Sequence, residues 1–252
     1  MIVGTVNLWE TVDVLRQEGV GVRGMRFDRE ARTTMAFIAM PDENTQEFVF
    51  YRNPGADTRL YPDELDYWLL QETRALHFGS LSLTHEPSRS ATMEAVQIAR
   101  EAGALISFDV NYRPTLWSGP DEARDQIMTM IPHVHLLKVN EVELALLEQG
   151  PDLCVVTLGP EGSYFQIAEG DEHVPAFKVR TVDSTGCGDA FVAGLPCQLA
   201  LSANWREQLT SVRMREVLRY ANAVGALTAL AQGVIPALPT AVQVDQFLEQ
   251  HT

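Results

Sequence analysis

The stretch VDSTGCGDAFVAG, Val182 to Gly194, places one carboxylate, Asp189, directly behind a two-glycine turn and ahead of an apolar run. A strand that feeds such a turn and then a helix presents the backbone N–H groups of Gly186, Cys187 and Gly188 at the positive end of the helix, where they bind an anion. A carboxylate beside them repels a phosphate unless it has a task of its own. Two tasks are open for Asp189. It caps the helix, which on the turn alone is the commoner role for Asp at a helix start. Or it is a general base for a substrate hydroxyl, while the turn holds the charge of a transferred phosphoryl group. Cys187 offers a backbone N–H and a space-filling thiol, with a lowered thiol pKa at the helix start as the minor alternative.

Other strings carry polar groups at element ends. Asp109, Asn111 and Arg113 alternate in DVNYR, so the three side chains share one side if the strand runs on, with Arg113 placed to hold a hydroxyl or a phosphate oxygen. Phe50 and Arg52 alternate likewise in EFVFYR, where a solvated edge-strand arginine is the bland reading of Arg52. Asn140 and Glu143 in VNEVE have the spacing of a capping box. Thr157 and Gly159 in VVTLGPEG lie where a strand gives way to a turn, the ligand edge of a parallel sheet. His77 reads as a structural strand-end histidine.

These residues need a scaffold, and from Arg74 onward the chain alternates short apolar runs with amphipathic segments. ALHFGSLSL, SRSATMEAVQIAREAG, ALISFDV, EARDQIMTMI and HVHLLKV follow one another in a βαβα rhythm, which predicts a parallel sheet covered by helices. Within residues 21–58 the texture changes. TTMAFIAM and EFVFYR, joined by the polar PDENTQ, predict an antiparallel β insert or flap. Pro196 falls inside the helix expected after Ala190, at the loss of one hydrogen bond. The 252 residues carry a formal charge of −15, which repels nucleic-acid backbones. Three cysteines in no metal-like cluster, no bilayer-length apolar run and no signal-peptide pattern predict one cytoplasmic domain over residues 1–252, with reduced thiols and no membrane partner.

DSTGCGDAF, with the downstream ANAVGALTALAQGVIPALP, resembles the C-terminal signature of the PfkB, or ribokinase-like, carbohydrate kinases, whose usual form has alanine where Cys187 stands. GVRGMRFDREARTTMAFIAM, EFVFYRNPGADTRL, HFGSLSLTHEPSRSAT, GALISFDVNYRPTLW, LLKVNEVELALL and VVTLGPEGSYF resemble the fructokinase branch in order, over nearly the whole chain. The resemblance implies an α/β fold, a ribokinase-like three-layer sandwich with a mostly parallel central sheet and a small β lid, dimerising through that lid. It implies ATP-dependent phosphorylation of a sugar hydroxyl, fructose to fructose 6-phosphate. Asp189 would be the base, with Gly186, Cys187 and Gly188 the anion hole and Arg113 beside them. Asn140 and Glu143 would organise Mg²⁺ through water. Thr157, Gly159, Gly162 and Asn222 would contact ATP, Asn222 near the adenine, with a purely structural Asn222 the alternative. Phe50, Arg52, Asp109, Asn111 and Arg113 would line the sugar, and Asp183, Thr185 and Gly233 would hold K⁺, although Ala237 lacks the hydroxyl some relatives offer there.

Two departures stand out. The chain opens on IVGTVNLWE, which resembles an interior family segment, so the first family strand and its sugar-gripping motif are missing; ELALLEQGPDLCVV reads as two family segments fused across a deletion. A missing central strand predicts two unpaired strand edges. The rival reading is therefore a truncated, non-catalytic nucleotide-binding or partner-binding relative, and a further one a ribose, ketodeoxygluconate or nucleoside kinase.

Overall fold

A computed structural model of the chain describes residues 8–42, 45–52, 55–144 and 150–251. They gather into two compact units: one takes the chain up to Thr73 with Phe78–Ala102 and Asn111–Met130, the other Arg74–His77, Gly103–Val110 and the chain from Ile131.

The first unit contains helix α1 (Leu8–Gln17) and the antiparallel ribbon β1 (Met35–Asp42) and β2 (Thr45–Tyr51), where the alternating patterns predict strands. Met35 pairs with Tyr51 and Phe37 with Val49, so these four apolar side chains share one face of the ribbon. The Phe37 and Tyr51 rings meet edge-on at 5.1 Å. Glu43 and Asn44 of the polar turn lie outside the described residues. Helices α2 (Tyr67–Glu72), α3 (Ser88–Glu101) and α4 (Pro120–Met130) follow. Asp66 caps α2 by accepting from the Leu69 N–H at 3.0 Å, and its carboxylate also receives the Arg23 fork at 2.5 and 2.6 Å.

The second unit carries a six-stranded sheet in the order β3 (Ala75–Gly79), β4 (Leu105–Asp109), β5 (Leu136–Asn140), β6 (Leu153–Thr157), β7 (Ser163–Ile167) and β8 (Gly170–Val174). β4, β5 and β6 are parallel, and the short turns after β6 and β7 add two antiparallel strands, making the sheet mixed. Among the described residues the strand order is continuous, and its ends are β3 and β8. Every residue of β4 and four of five in β5 and β6 are buried, as a sheet covered on both faces requires. β7 alternates buried with more open positions, whereas β8 is buried only at Val174.

Helix α5 (Glu141–Leu144) follows β5; residues 145–149, within the segment read as fused across a deletion, lie outside the described residues. Helices α6 (Cys187–Ala200), α7 (Ser211–Thr228) and α8 (Ala241–Gln250) complete the unit. Phe191, Leu195 and Leu199 of α6 and Met214, Val217 and Leu218 of α7 pack with Leu105, Leu136, Leu153, Val155 and Phe165 of the sheet into one apolar core. α6 runs through Pro196, which leaves one helical carbonyl without its usual N–H. Leu195 is fully buried where α6 meets this core. Leu195→Ala should therefore lower the unfolding free energy by about 2–5 kcal/mol, read as a lower urea midpoint at unchanged m-value.

Candidate active site

Parallel pairing brings the polar ends of three strands into line. Asp109 at the end of β4 pairs with Lys138 of β5, and Asn140 at the end of β5 pairs with Thr157 at the end of β6. This is the carboxyl edge of the parallel strands, where ligands of α/β sheets bind. Both Asp109 carboxylate oxygens accept from the Lys138 ammonium, at 3.1 and 3.2 Å, with Asp109 4% and Lys138 6% exposed. Burial pushes the Asp109 carboxyl up to about 6, against the opposing pull of Lys138, while Glu143 and Asp189 add repulsion. Asp109 therefore anchors a lysine. The expected D-x-N-x-R row also fails to form: β4 ends at Asp109 and Asn111 turns left-handed at φ 42°, which breaks the alternation before Arg113. Asn111 and Arg113 belong to the first unit, where the Arg113 guanidinium donates to the Tyr112 carbonyl at 3.2 Å.

Lys138 was not singled out by motif spacing. Its signal is a lone cation inside the apolar strand HLLKV, since a buried lysine requires a paired anion. Its Nζ lies 4.0 Å from the position a β-carbon on Gly188 would occupy, directly at the glycine turn.

That turn has the expected form. Gly186 is the N-cap of α6 at φ 78°, and a β-carbon there would stand 2.6 Å from a Val234 methyl, so both conformation and space demand glycine. The helix starts at Cys187, which puts Asp189 at its third residue, past the cap. The capping role falls to Gly186, and Asp189 is exposed, with no hydrogen bond to its carboxylate among the described residues. Cys187 is half-buried and its thiol is pushed up, by burial first and then by Asp183, so the lowered-pKa alternative does not hold. Asp183 ties the turn to a distant loop: its oxygens accept from the Thr185 N–H at 2.9 Å and the Gly233 N–H at 3.1 Å, while the Val182 N–H donates to Ala229 at 2.7 Å. Burial works to raise the Asp183 carboxyl, but these donors together hold it below the ordinary value.

Asn140 and Glu143 form a reciprocal capping box at the start of α5, each backbone N–H donating to the other's side chain at 2.9 Å. Thr157 donates to the Val139 carbonyl at 3.3 Å. Gly159, at φ 53°, opens the turn that follows β6 and runs to Gly162, where a β-carbon would approach the Val174 carbonyl to 2.3 Å. Asn222, buried in α7, donates to the Val174 and Pro175 carbonyls at 3.1 and 3.3 Å and is bonded to Ser163 at 3.2 Å. These bonds fasten α7 to β7 and β8. His77, within β3, shares a 3.0 Å hydrogen bond with Ser107.

In the first unit, Arg52 is not a solvated edge arginine. Its side chain is 4% exposed, ion-paired with Asp57 at 2.5 Å, and donates to Thr84 at 2.8 Å and to the Leu81 carbonyl at 3.0 Å. It pins the end of β2 to the turn before α3. Phe50 pairs with Ala36 across the ribbon and is partly exposed; Asn53 and Pro54, part of the family-like string, lie outside the described residues.

Comparison with known proteins adds four findings. The description "pfkB family carbohydrate kinase" matches residues 10–241. A protein named probable fructokinase-3 from Arabidopsis thaliana is 41% identical over 251 residues, covering 94% of this chain and 72% of the relative. Among solved structures, a fructokinase with bound ATP from Xylella fastidiosa superposes with a TM-score of 0.88 at 26% identity, covering 95% of this chain and 80% of that one. A fructokinase double mutant from Vibrio cholerae O395, with fructose, ADP and potassium ion bound, gives 0.85 at 28% identity, covering 96% and 80%.

The Asp183 clamp has a pH signature. Its folded pKa lies below the unfolded value near 3.9, so its stabilisation is complete above about pH 4 and is lost as pH falls through the folded value. Asp183→Ala should be clearly less stable than the parent chain at pH 7, and urea unfolding should show that gap shrinking toward pH 3.

Proposed function

The chain belongs to the pfkB family of carbohydrate kinases, and from that premise we propose that it phosphorylates fructose at the 6-hydroxyl with ATP. The observation that carries the reading is Asp189: an exposed carboxylate one residue beyond a turn of helix-start N–H groups, at the carboxyl edge of parallel strands. The identities near 40% to several fructokinases favour fructose over ribose or a nucleoside.

The residues divide the work as follows. Asp189 accepts the proton of the sugar hydroxyl as that oxygen bonds to the γ-phosphorus; the bridging P–O bond breaks and ADP departs with the electron pair. The N–H groups of Gly186, Cys187 and Gly188, fixed by the cap geometry, receive the charge that spreads over the transferred phosphoryl oxygens. Arg113, Asn111 and Phe50 are the residues that the family resemblance assigns to phosphate and sugar. Thr157, Gly159 and Gly162 border the nucleotide.

Asn140 and Glu143 suit magnesium, an ion that keeps several waters and needs few carboxylates; their side-chain oxygens would hold those waters. Magnesium when bound neutralises charge on the phosphate chain. Asp183, Thr185 and Gly233, drawn together by hydrogen bonds, form an oxygen-bearing corner suited to potassium. The apolar face of the β1–β2 ribbon, with Met35, Val49 and Tyr51 exposed, supports a homodimer formed through the lid. A cytoplasmic setting fits the reduced cysteines and the absence, among the described residues, of any helix long and apolar enough to cross a membrane.

Asp189→Asn should keep ADP binding and lower fructose-dependent ADP release by about a hundred- to ten-thousand-fold in a coupled assay; turnover equal to the parent would remove Asp189 from the chemistry. Val49→Asp with Tyr51→Asp should convert a sedimenting dimer into a monomer, and a variant that still sediments as a dimer would place the interface elsewhere.

A further inference from the structure

Lys138 has no part in the chemistry described so far, yet it is a buried cation at the centre of the site. Asp109 grips its ammonium with both oxygens, which fixes where the charge sits. That place is the glycine turn, 4.0 Å from the β-carbon position of Gly188. Glu143 and Asp189 both lie close enough to Asp109 to repel its charge, so the neighbourhood that must admit a polyphosphate holds three carboxylates. Helix-start N–H groups contribute only a partial positive charge. The pair as a whole is close to neutral, but it is oriented with its ammonium end at the turn, and a dry, anchored dipole is worth far more to a phosphoryl group than the same charges in water.

We propose that Lys138, held by Asp109, is a positioning residue that supplies the fixed positive field behind the Gly186–Gly188 turn and so makes the turn select the nucleotide's phosphates. The ammonium works from behind the backbone and touches no reacting atom. Asp109 is the anchor, which accounts for a buried carboxylate at the end of β4. The assignment rests on the kinase reading for its effect on turnover, whereas its effect on phosphate binding can be read without any sugar.

The test is a neutral replacement of the pair, Lys138→Met with Asp109→Asn, because removing Lys138 alone strands a buried carboxylate and risks the fold. Thermal unfolding first establishes that the double variant folds. Binding of ATP and of adenosine is then titrated calorimetrically, and kcat and KM for fructose are measured. The expected result is a preference for ATP over adenosine at least tenfold smaller than in the parent, with kcat lower by about a hundredfold and KM for fructose changed little. A merely structural pair would leave the ATP-to-adenosine ratio where it was. An unchanged ratio in a folded double variant, or a parent chain that binds ATP no better than adenosine, overturns the proposal. A parent chain that binds ATP but phosphorylates no sugar overturns the kinase reading, and the binding ratio still decides the role of Lys138. Should the double variant not fold, Lys138→Arg, which keeps the charge, is measured in its place; a change in its ATP-to-adenosine ratio as large as tenfold would also count against a field set by charge.

Discussion

The parallel pairing of β4, β5 and β6 is the constraint on which the rest of the site depends. A parallel ladder sends every strand out at the same edge, so Asp109, Asn140 and Thr157 arrive side by side although they are far apart in the chain. The register is specified by burial on both faces. A slip of one residue would turn Lys138 away from Asp109 and leave two charges in the core without each other. The polar pair thus makes the register costly to change, and the apolar residues around it make the sheet itself stable.

The glycine turn is held from two sides. From below come α6 and its packing on the sheet through Phe191, Leu195 and Leu199. From beside come Asp183 and the loop around Gly233 and Val234, which leaves no room for a side chain at Gly186. Anion binding by backbone N–H groups requires that they point together before the ligand arrives, and these two supports keep them so.

How much was legible in the sequence follows from how local each signal is. The strands and helices from Arg74 onward announce themselves by apolar periodicity, and the turn with Asp189 is a contiguous string whose backbone demands are written in its glycines. The polar residues that lock elements together have partners elsewhere: Asp109 and Lys138 are 29 positions apart, Arg52 and Thr84 are 32, Asn222 and Val174 are 48. A polar residue in a strand or helix looks the same in sequence whether it faces a ligand or locks two elements together. For Asp109, Arg52 and Asn222 only the fold distinguishes the two. The alternation expected through Asp109, Asn111 and Arg113 failed for a local reason, the left-handed backbone at Asn111, a conformation that asparagine tolerates better than most residues.

The bonds from Asp183 to Thr185 and Gly233 mean that the thirteen residues of the turn do not own their shape. Grafted onto another scaffold, VDSTGCGDAFVAG would carry its N–H groups and its carboxylate but leave behind the brace some fifty positions downstream that aims them. The portable unit is the string together with the Ala229–Val234 segment, and a transplant that omits the second half moves the letters of the motif without its anion hole.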